Sequence, residues 1–216
     1  MALVSVSGAC SRSGKTALAA TLLRAAPPGT LALKFTTTDD VFERCPRGTS
    51  CVVCDIDVPY RIVADEATLR VPGTDTDRLA AAGAAKVLWC IARRGAAAEA
   101  WAAVSSLIAG PGLVVMEGST VVSLAGPDLH LFVAHPFLAP ERWKPASSLL
   151  ARSADAVVVN VPSAEPRPPA AAVLAALGGT DVRTADVTRP LGDWAPDLAA
   201  RLAALRPSTS HAEARA

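Results

Sequence analysis

Aromatic side chains are scarce in this 216-residue chain: they make up 4% of it, with a single tyrosine. That leaves too few rings for the base-stacking platform that single-stranded nucleic acid needs. An excess of one charge is missing too. Lys and Arg number 21 against 20 Asp and Glu, a formal net charge of +1, which gives no electrostatic case for nucleic acid or an anionic membrane as a partner. No uninterrupted apolar run is long enough to span a bilayer. The apolar start lacks a basic segment and runs straight into a polar loop, unlike a secretory signal. The composition of a disordered chain is also absent, because 51% hydrophobic against 19% charged residues can bury a sizeable core. These absences predict one cytoplasmic domain over residues 1–206, with an insertion at about 37–72 and a disordered tail over 207–216. In that compartment the five cysteines are free, metal-bound or redox-active rather than paired in structural disulfides.

The opening of the chain carries the strongest pattern. Leu3 to Val6 reads as a buried strand and Ala17 to Arg24 as a helix. Between them Gly8-Ala9-Cys10-Ser11-Arg12-Ser13-Gly14-Lys15-Thr16 ends in Gly-Lys-Thr, the closing residues of a phosphate-binding P-loop. Loop amides from Ser11 through Ala17, together with the positive end of the helix, would cradle phosphates. Lys15 would reach the β- and γ-phosphates, and the Thr16 hydroxyl would hold Mg²⁺. The usual spacing has its first glycine at position 9; here Ala9 stands there and Gly8 comes one residue early.

Hydrophobic runs then alternate with helical patterns, the order of a mainly parallel α/β sheet flanked by helices. Thr30–Phe35 reads as a second strand with Lys34 near its C-terminal end, where ligands gather in open α/β sheets. Tyr60–Ala64 and Thr68–Val71 suggest a hairpin around Asp65-Glu66. Thr74 or Asp75 is the candidate N-cap of a helix reaching Ala85. Strands are expected at Lys86–Ala92, Leu113–Met116, Leu129–Ala134, Ala156–Val159 and about Asp181–Ala185. Helices are expected at Ala96–Ala109, Pro145–Ser153, Ala170–Leu177 and about Ala195–Leu205.

Cys45, Cys51 and Cys54 form the second chemical feature. A C-x-x-C turn brings two thiolates to one side, and a third cysteine six residues upstream fits a fold-back onto the same ion. Three thiolates are one short of a tetrahedral zinc site or a Cys₄ iron–sulfur cluster. Iron–sulfur is the preferred reading, zinc the alternative, and a redox pair or free thiols the bland one. Solvent, another side chain or a second subunit would complete the shell, hence the expectation of a homodimer. Cys10 and Cys90 read as small buried hydrophobes. Glu117, after an apolar strand and before Gly118, stands where P-loop enzymes keep a Mg²⁺-associated or water-orienting carboxylate. Asp39 or Asp40 would reach the Mg²⁺ shell or remain a solvated loop acid. Asn160 ends a late strand and offers an amide to a nucleobase; no Asn-Lys-x-Asp pattern follows, so ATP and GTP stay equally open. His130, His135 and His211 show no metal spacing.

Gly8–Thr16, Lys34, Asp75–Arg78 with Ala82-Gly83-Ala84, and Met116-Glu117-Gly118-Ser119 occur in that order. The order resembles the molybdopterin-guanine dinucleotide biosynthesis protein B family, across roughly residues 2–160. More broadly it is similar to the P-loop class that includes dethiobiotin synthetase and the cobyrinic acid amidases. The resemblance implies a Rossmann-like domain, commonly dimeric, using Mg²⁺ and ATP or GTP. It implies Lys15 and Thr16 as nucleotide and Mg²⁺ contacts, Glu117 as a metal-site carboxylate, and Lys34 beside an anionic substrate or phosphate. Lys15 and Glu117 are then the catalytic candidates. The chain departs from the pattern in having Cys10 where dimeric ATPases of the class often carry a second P-loop lysine. It also lacks the extra glycine of the dethiobiotin synthetase Glu-Gly-x-Gly, and it adds the three-cysteine stretch. The expected function is Mg²⁺-dependent nucleotide hydrolysis coupled to a cysteine-ligated site, in molybdenum-cofactor handling or metalloenzyme maturation with a partner protein. An ATP-dependent synthetase and a non-hydrolysing metallochaperone are the alternatives.

Overall fold

Strands that are apolar on both faces need cover on both faces, and the observed architecture supplies it. The computed structural model describes residues 1–37, 58–110, 112–164, 166–177 and 181–205. Asp39, Asp40, Cys45, Cys51, Cys54 and the tail from position 207 lie outside the described residues. The strands are β1 (Ala2–Gly8), β2 (Leu31–Thr37), β3 (Tyr60–Val63), β4 (Lys86–Ala92), β5 (Leu113–Glu117), β6 (Leu129–Ala134), β7 (Ala156–Asn160) and β8 (Val182–Ala185). They form one eight-stranded sheet in the order β3-β4-β2-β5-β1-β6-β7-β8. Every pairing is parallel except β3 with β4. The fold is therefore an α/β, Rossmann-like one with β1 near the centre; every residue of β1 and of β6 is buried.

The helices are α1 (Lys15–Ala25), α2 (Glu66–Leu69), α3 (Asp75–Ala81), α4 (Ala97–Ile108), α5 (Val122–Ala125), α6 (Ser147–Arg152), α7 (Ala171–Ala176), α8 (Leu191–Trp194) and α9 (Pro196–Ala204). α1 is helical because Leu18 and Leu22 fall on one face, four residues apart, with alanines between; both are fully buried. Pro27 and Pro28 prevent its continuation. α9 repeats the device with Pro196 in its first turn and Leu198 and Leu202 buried. α1, α3, α8 and α9 cover the sheet face of Val4, Val6, Val115 and Val158. α4 covers the opposite face around Leu33, Leu88 and Met116, and α6 and α7 cover that face around Phe132 and Val157. Each of the larger buried side chains contributes roughly 1.5–3 kcal/mol of burial free energy.

Two local expectations are corrected. The second arm of the predicted hairpin, Thr68–Val71, is instead helix α2 and a turn. Asp65 accepts the Thr68 amide at 2.8 Å, an N-cap that wins over β-propensity, and Leu69 is buried in the core. β3 finds its antiparallel partner in β4. Helix α1 starts at Lys15 rather than Ala17, because the Leu18 amide already bonds the Gly14 carbonyl at 2.9 Å. Among the described residues, no helix is long and apolar enough to cross a membrane.

Candidate functional site

In an open parallel sheet the strand ends that face ligands are the C-terminal ones. Gly8, Lys34, Glu117 and Asn160 all lie at that edge. Side chains alternate along a strand. The buried column of Val4 and Val6, with Val115 beside it and Ala32 next, thus runs out at this edge into Glu117 and Lys34. The two are register partners across β5 and β2, and both emerge on the face that α1 covers.

There they form a buried ionic cluster. Lys34 Nζ donates to Glu117 Oε1 at 2.6 Å and to Asp75 Oδ2 at 2.7 Å. Thr16 Oγ1 donates to Glu117 Oε2 at 2.9 Å. Glu117 is 1% exposed, so its charge relies on these partners. Burial works to lower the Lys34 pKa, but the two carboxylates outweigh it and hold the ammonium above its ordinary value. Burial likewise pushes Asp75 up, and Lys34 outweighs it, leaving the Asp75 carboxyl below the usual range. Thr74 caps α3 by accepting the Asp77 amide at 3.3 Å, which leaves the Asp75 side chain to reach Lys34.

The loop from Gly8 to Gly14 curls beside this cluster. Gly8 is the early glycine, and the packing explains its place. A Cβ there would stand 2.7 Å from the Val133 carbonyl and from Ser13 Oγ. Ala9, in the usual glycine position, is fully buried, and its methyl belongs to the core with Phe132 and Trp143. Its amide donates to Val133 O at 3.0 Å, and its carbonyl accepts Lys144 N at 3.0 Å and Ser147 Oγ at 3.1 Å. Arg12 takes a left-handed φ of 61°, a costly conformation for a side-chain-bearing residue. Gly14 has φ 108°, and a Cβ on it would meet Asn160 Nδ2 at 2.5 Å.

α1 differs from α2 and α3 at its first turn. Those helices have side-chain caps, from Asp65 and Thr74. α1 has Gly14 as its N-cap, no side-chain cap and no acid in the first turn. Its leading amides and dipole are left uncompensated at the loop. Ser13 Oγ, on a residue 1% exposed, has no partner among the described residues. Lys15 Nζ folds back onto the Cys10 carbonyl at 2.6 Å. Burial lowers its pKa, with Glu117 opposing.

Of the expected site residues, Lys15, Thr16, Lys34 and Glu117 come together around the loop, which Ser11, Arg12, Ser13, Gly14 and Ala17 build or adjoin. Asn160 sits beneath it, donating to the Ser13 carbonyl at 3.3 Å and accepting Val187 N at 3.3 Å. Both ends of its amide are thus spent on the backbone, a strut between the loop and the segment after β8. Asp75 and Ser119, whose hydroxyl accepts the Gly8 amide at 3.3 Å, were not singled out for site roles by sequence. Both lie in the stretches that carry the resemblance. His130 is buried against Ser7 Oγ at 2.7 Å, with its pKa lowered by burial. Cys90 is fully buried, its thiol pushed up to about 12 by burial. Among the described residues no three of His, Cys, Asp and Glu gather as metal ligands. A cavity of about 300 Å³, bordered by Ala64, Leu69, Arg70, Lys86 and Val87, lies at the opposite edge of the sheet.

Compared with protein families and with curated proteins, the chain finds no match. The fold is α/β with a mostly parallel sheet, an architecture compatible with P-loop nucleotide-binding proteins.

Proposed function

We propose that this protein binds a nucleoside triphosphate with Mg²⁺ and hydrolyses its terminal phosphate. The observation that carries the proposal is the pairing of an uncapped α1 N-terminus with the Thr16–Glu117–Lys34–Asp75 cluster at one strand edge. The nucleotide fits the donors present: orphan amides at the first turn of α1, the unpartnered Ser13 hydroxyl, and Lys15 at the loop. Gly8 and Gly14 keep that cradle free of Cβ atoms. The metal fits as well. Thr16, Glu117 and Asp75 are hard oxygen donors, few enough to leave places for water and phosphate, as Mg²⁺ prefers. A cation, the Lys34 ammonium, already lies between the two carboxylates.

Thr16, Glu117 and Asp75 would hold Mg²⁺, whose charge would supply electrostatic stabilisation of a transferring phosphoryl group. The chain's own residues do the rest. Lys15 and the loop amides hold and orient the phosphates. Glu117 fixes Thr16 through their hydrogen bond, and Lys34 holds the Glu117 side chain in place from the other oxygen. Asn160 holds Ser13, and with it the loop, in register. This is catalysis by positioning and electrostatics.

Binding of ATP and GTP and phosphate release, measured for wild type and Lys15→Ala, test the proposal. Wild type is expected to bind and turn over at least one nucleotide. Lys15→Ala is expected to lose turnover about 10²-fold or more, in the range seen on deleting one charge-stabilising donor. Equal turnover in the two proteins would overturn it. A metal or iron–sulfur role for Cys45, Cys51 and Cys54 stands on their spacing alone, and molybdenum-cofactor handling on the resemblance alone. Metal and sulfide analysis of anaerobically purified wild type and Cys51→Ser tests the former. Iron and sulfide lost in the variant are expected; equal metal content in both proteins would remove the cysteine site from the function.

A further inference from the structure

The loop has a second free lysine, and it comes from a different part of the chain. Residues 135–147 run from the end of β6 into the start of α6. They are fastened at two points. Trp143 is 8% exposed, donates from Nε1 to the Leu138 carbonyl at 3.0 Å and packs on Phe132 with ring centroids 6.1 Å apart. Ser147, 1% exposed, donates to the Ala9 carbonyl. Lys144 lies between these anchors, and its own amide donates to that same carbonyl at 3.0 Å. The segment is therefore stitched to the loop at its second residue, and Lys144 is fixed beside it by backbone geometry rather than by the reach of a flexible side chain.

The electrostatics agree with that placement. The Lys144 charge is felt at Lys15, whose pKa it helps to lower, and at Cys10, where it opposes the upward push of burial. Of the lysines around the loop, Lys34 is neutralised by Glu117 and Asp75. Among the described residues Lys15 Nζ has only a neutral carbonyl for a hydrogen-bond partner. Lys144 is exposed and, among the described residues, forms no ion pair. Two uncompensated ammonium groups thus flank an uncapped helix end, a surplus suited to a polyanion that stays net negative after binding a divalent cation.

We propose that Lys144 is a phosphate-binding residue of this site, delivered by the crossover after β6 to the loop that carries Cys10. The proposal rests on the nucleotide reading above. It assigns to the crossover a charge that the loop's own sequence does not provide, because the positions before Gly14 offer Arg12 as their sole cation. Lys144 contacts the polyphosphate from the Ala9 side, opposite the Glu117–Lys34–Asp75 cluster.

The experiment is titration of full-length wild type, Lys15→Ala, Lys144→Ala, Lys144→Arg and Arg142→Ala with ATP, GTP and adenosine at low and high salt. Lys144→Ala is expected to weaken triphosphate binding about tenfold, the loss of one charge-assisted contact, and to flatten its salt dependence. Lys144→Arg should restore most of the affinity. Arg142→Ala, which removes the same charge from an exposed position two residues away, should bind as wild type does. Adenosine binding should be indifferent to all four substitutions, a pattern that damage to the fold would not produce. A wild type that binds and a Lys144→Ala that binds equally well, with Lys15→Ala impaired, would overturn this assignment and leave the nucleotide reading standing. A uniform loss in Lys144→Ala and Arg142→Ala would also overturn it, by showing a general field. A wild type that binds neither triphosphate would remove both proposals.

Discussion

The two flanks of β1 hold the same loop by different physics. On the β5–β2 side the fixings are ionic: Thr16, Glu117, Lys34 and Asp75 form a chain of charge-assisted contacts with Glu117 almost wholly buried. On the β6–β7 side they are neutral: Ala9 is held by three backbone or hydroxyl contacts, and Asn160 ties Ser13 to Val187. The carboxylates of the ionic flank hold a cation, the Lys34 ammonium, between them. On the nucleotide reading proposed above, the ionic side of the loop is the one whose contacts would rearrange around a ligand.

Breaking the ionic flank at its buried member should have the largest effect. Glu117→Ala strands the Lys34 ammonium with one partly exposed partner and frees the Thr16 hydroxyl. A loss of about 3 kcal/mol is expected in urea unfolding, as when one partner leaves a buried pair. An effect below roughly 1 kcal/mol would mean that water already reaches the cluster. The neutral flank should break more gently. Asn160→Ala deletes two hydrogen bonds of 3.3 Å, at a cost of about 1–2 kcal/mol, and the cost should be the same at pH 5 and pH 9.

The smallest effect is expected from Asp75→Asn. Its side chain is 44% exposed, so solvent screening limits the loss to about 1 kcal/mol or less. Its value lies in its pH dependence. The Asp75 carboxyl titrates below its ordinary 3.8, so its stabilisation is present above that pH and lost as pH falls through the folded value. Lys34 titrates above its ordinary 10.5, so its share is present below that pH and lost as pH rises through the folded value. The ionic flank should therefore be level across neutral pH and weaken at both extremes. Asp75→Asn should remove part of the acid-side loss, read as a shallower fall of unfolding midpoint below pH 4. An unchanged acid limb would show that Asp75 does not feel Lys34.

Much of the fold is legible in the sequence. The order of apolar runs pointed to parallel strands and put Lys34 and Glu117 each near a strand's C-terminal end; that the two meet on one face needed the β2–β5 register. Lys15 and Thr16 followed from Gly-Lys-Thr. What stayed hidden depends on long-range contact. Asp75 reads locally as a cap candidate, since nothing in its neighbourhood shows that Lys34, 41 residues away, is the partner. The Ala9 substitution reads as a departure until the methyl is seen inside the core. Lys144 sits among prolines and looks like any solvated charge. The hairpin expectation failed because Asp65 and Thr68, both compatible with a turn, close a helical cap instead.

The antiparallel pairing of β3 has a topological consequence. Thr37 ends β2 and pairs with Ala92; Tyr60 begins β3 and pairs with the same Ala92. The chain thus leaves the sheet and re-enters it at one edge, the edge of Glu117 and the loop. Its two exits are separated by two strand spacings, about 10 Å. The end of β2 and the start of β3 therefore both open at the strand edge that carries the candidate site.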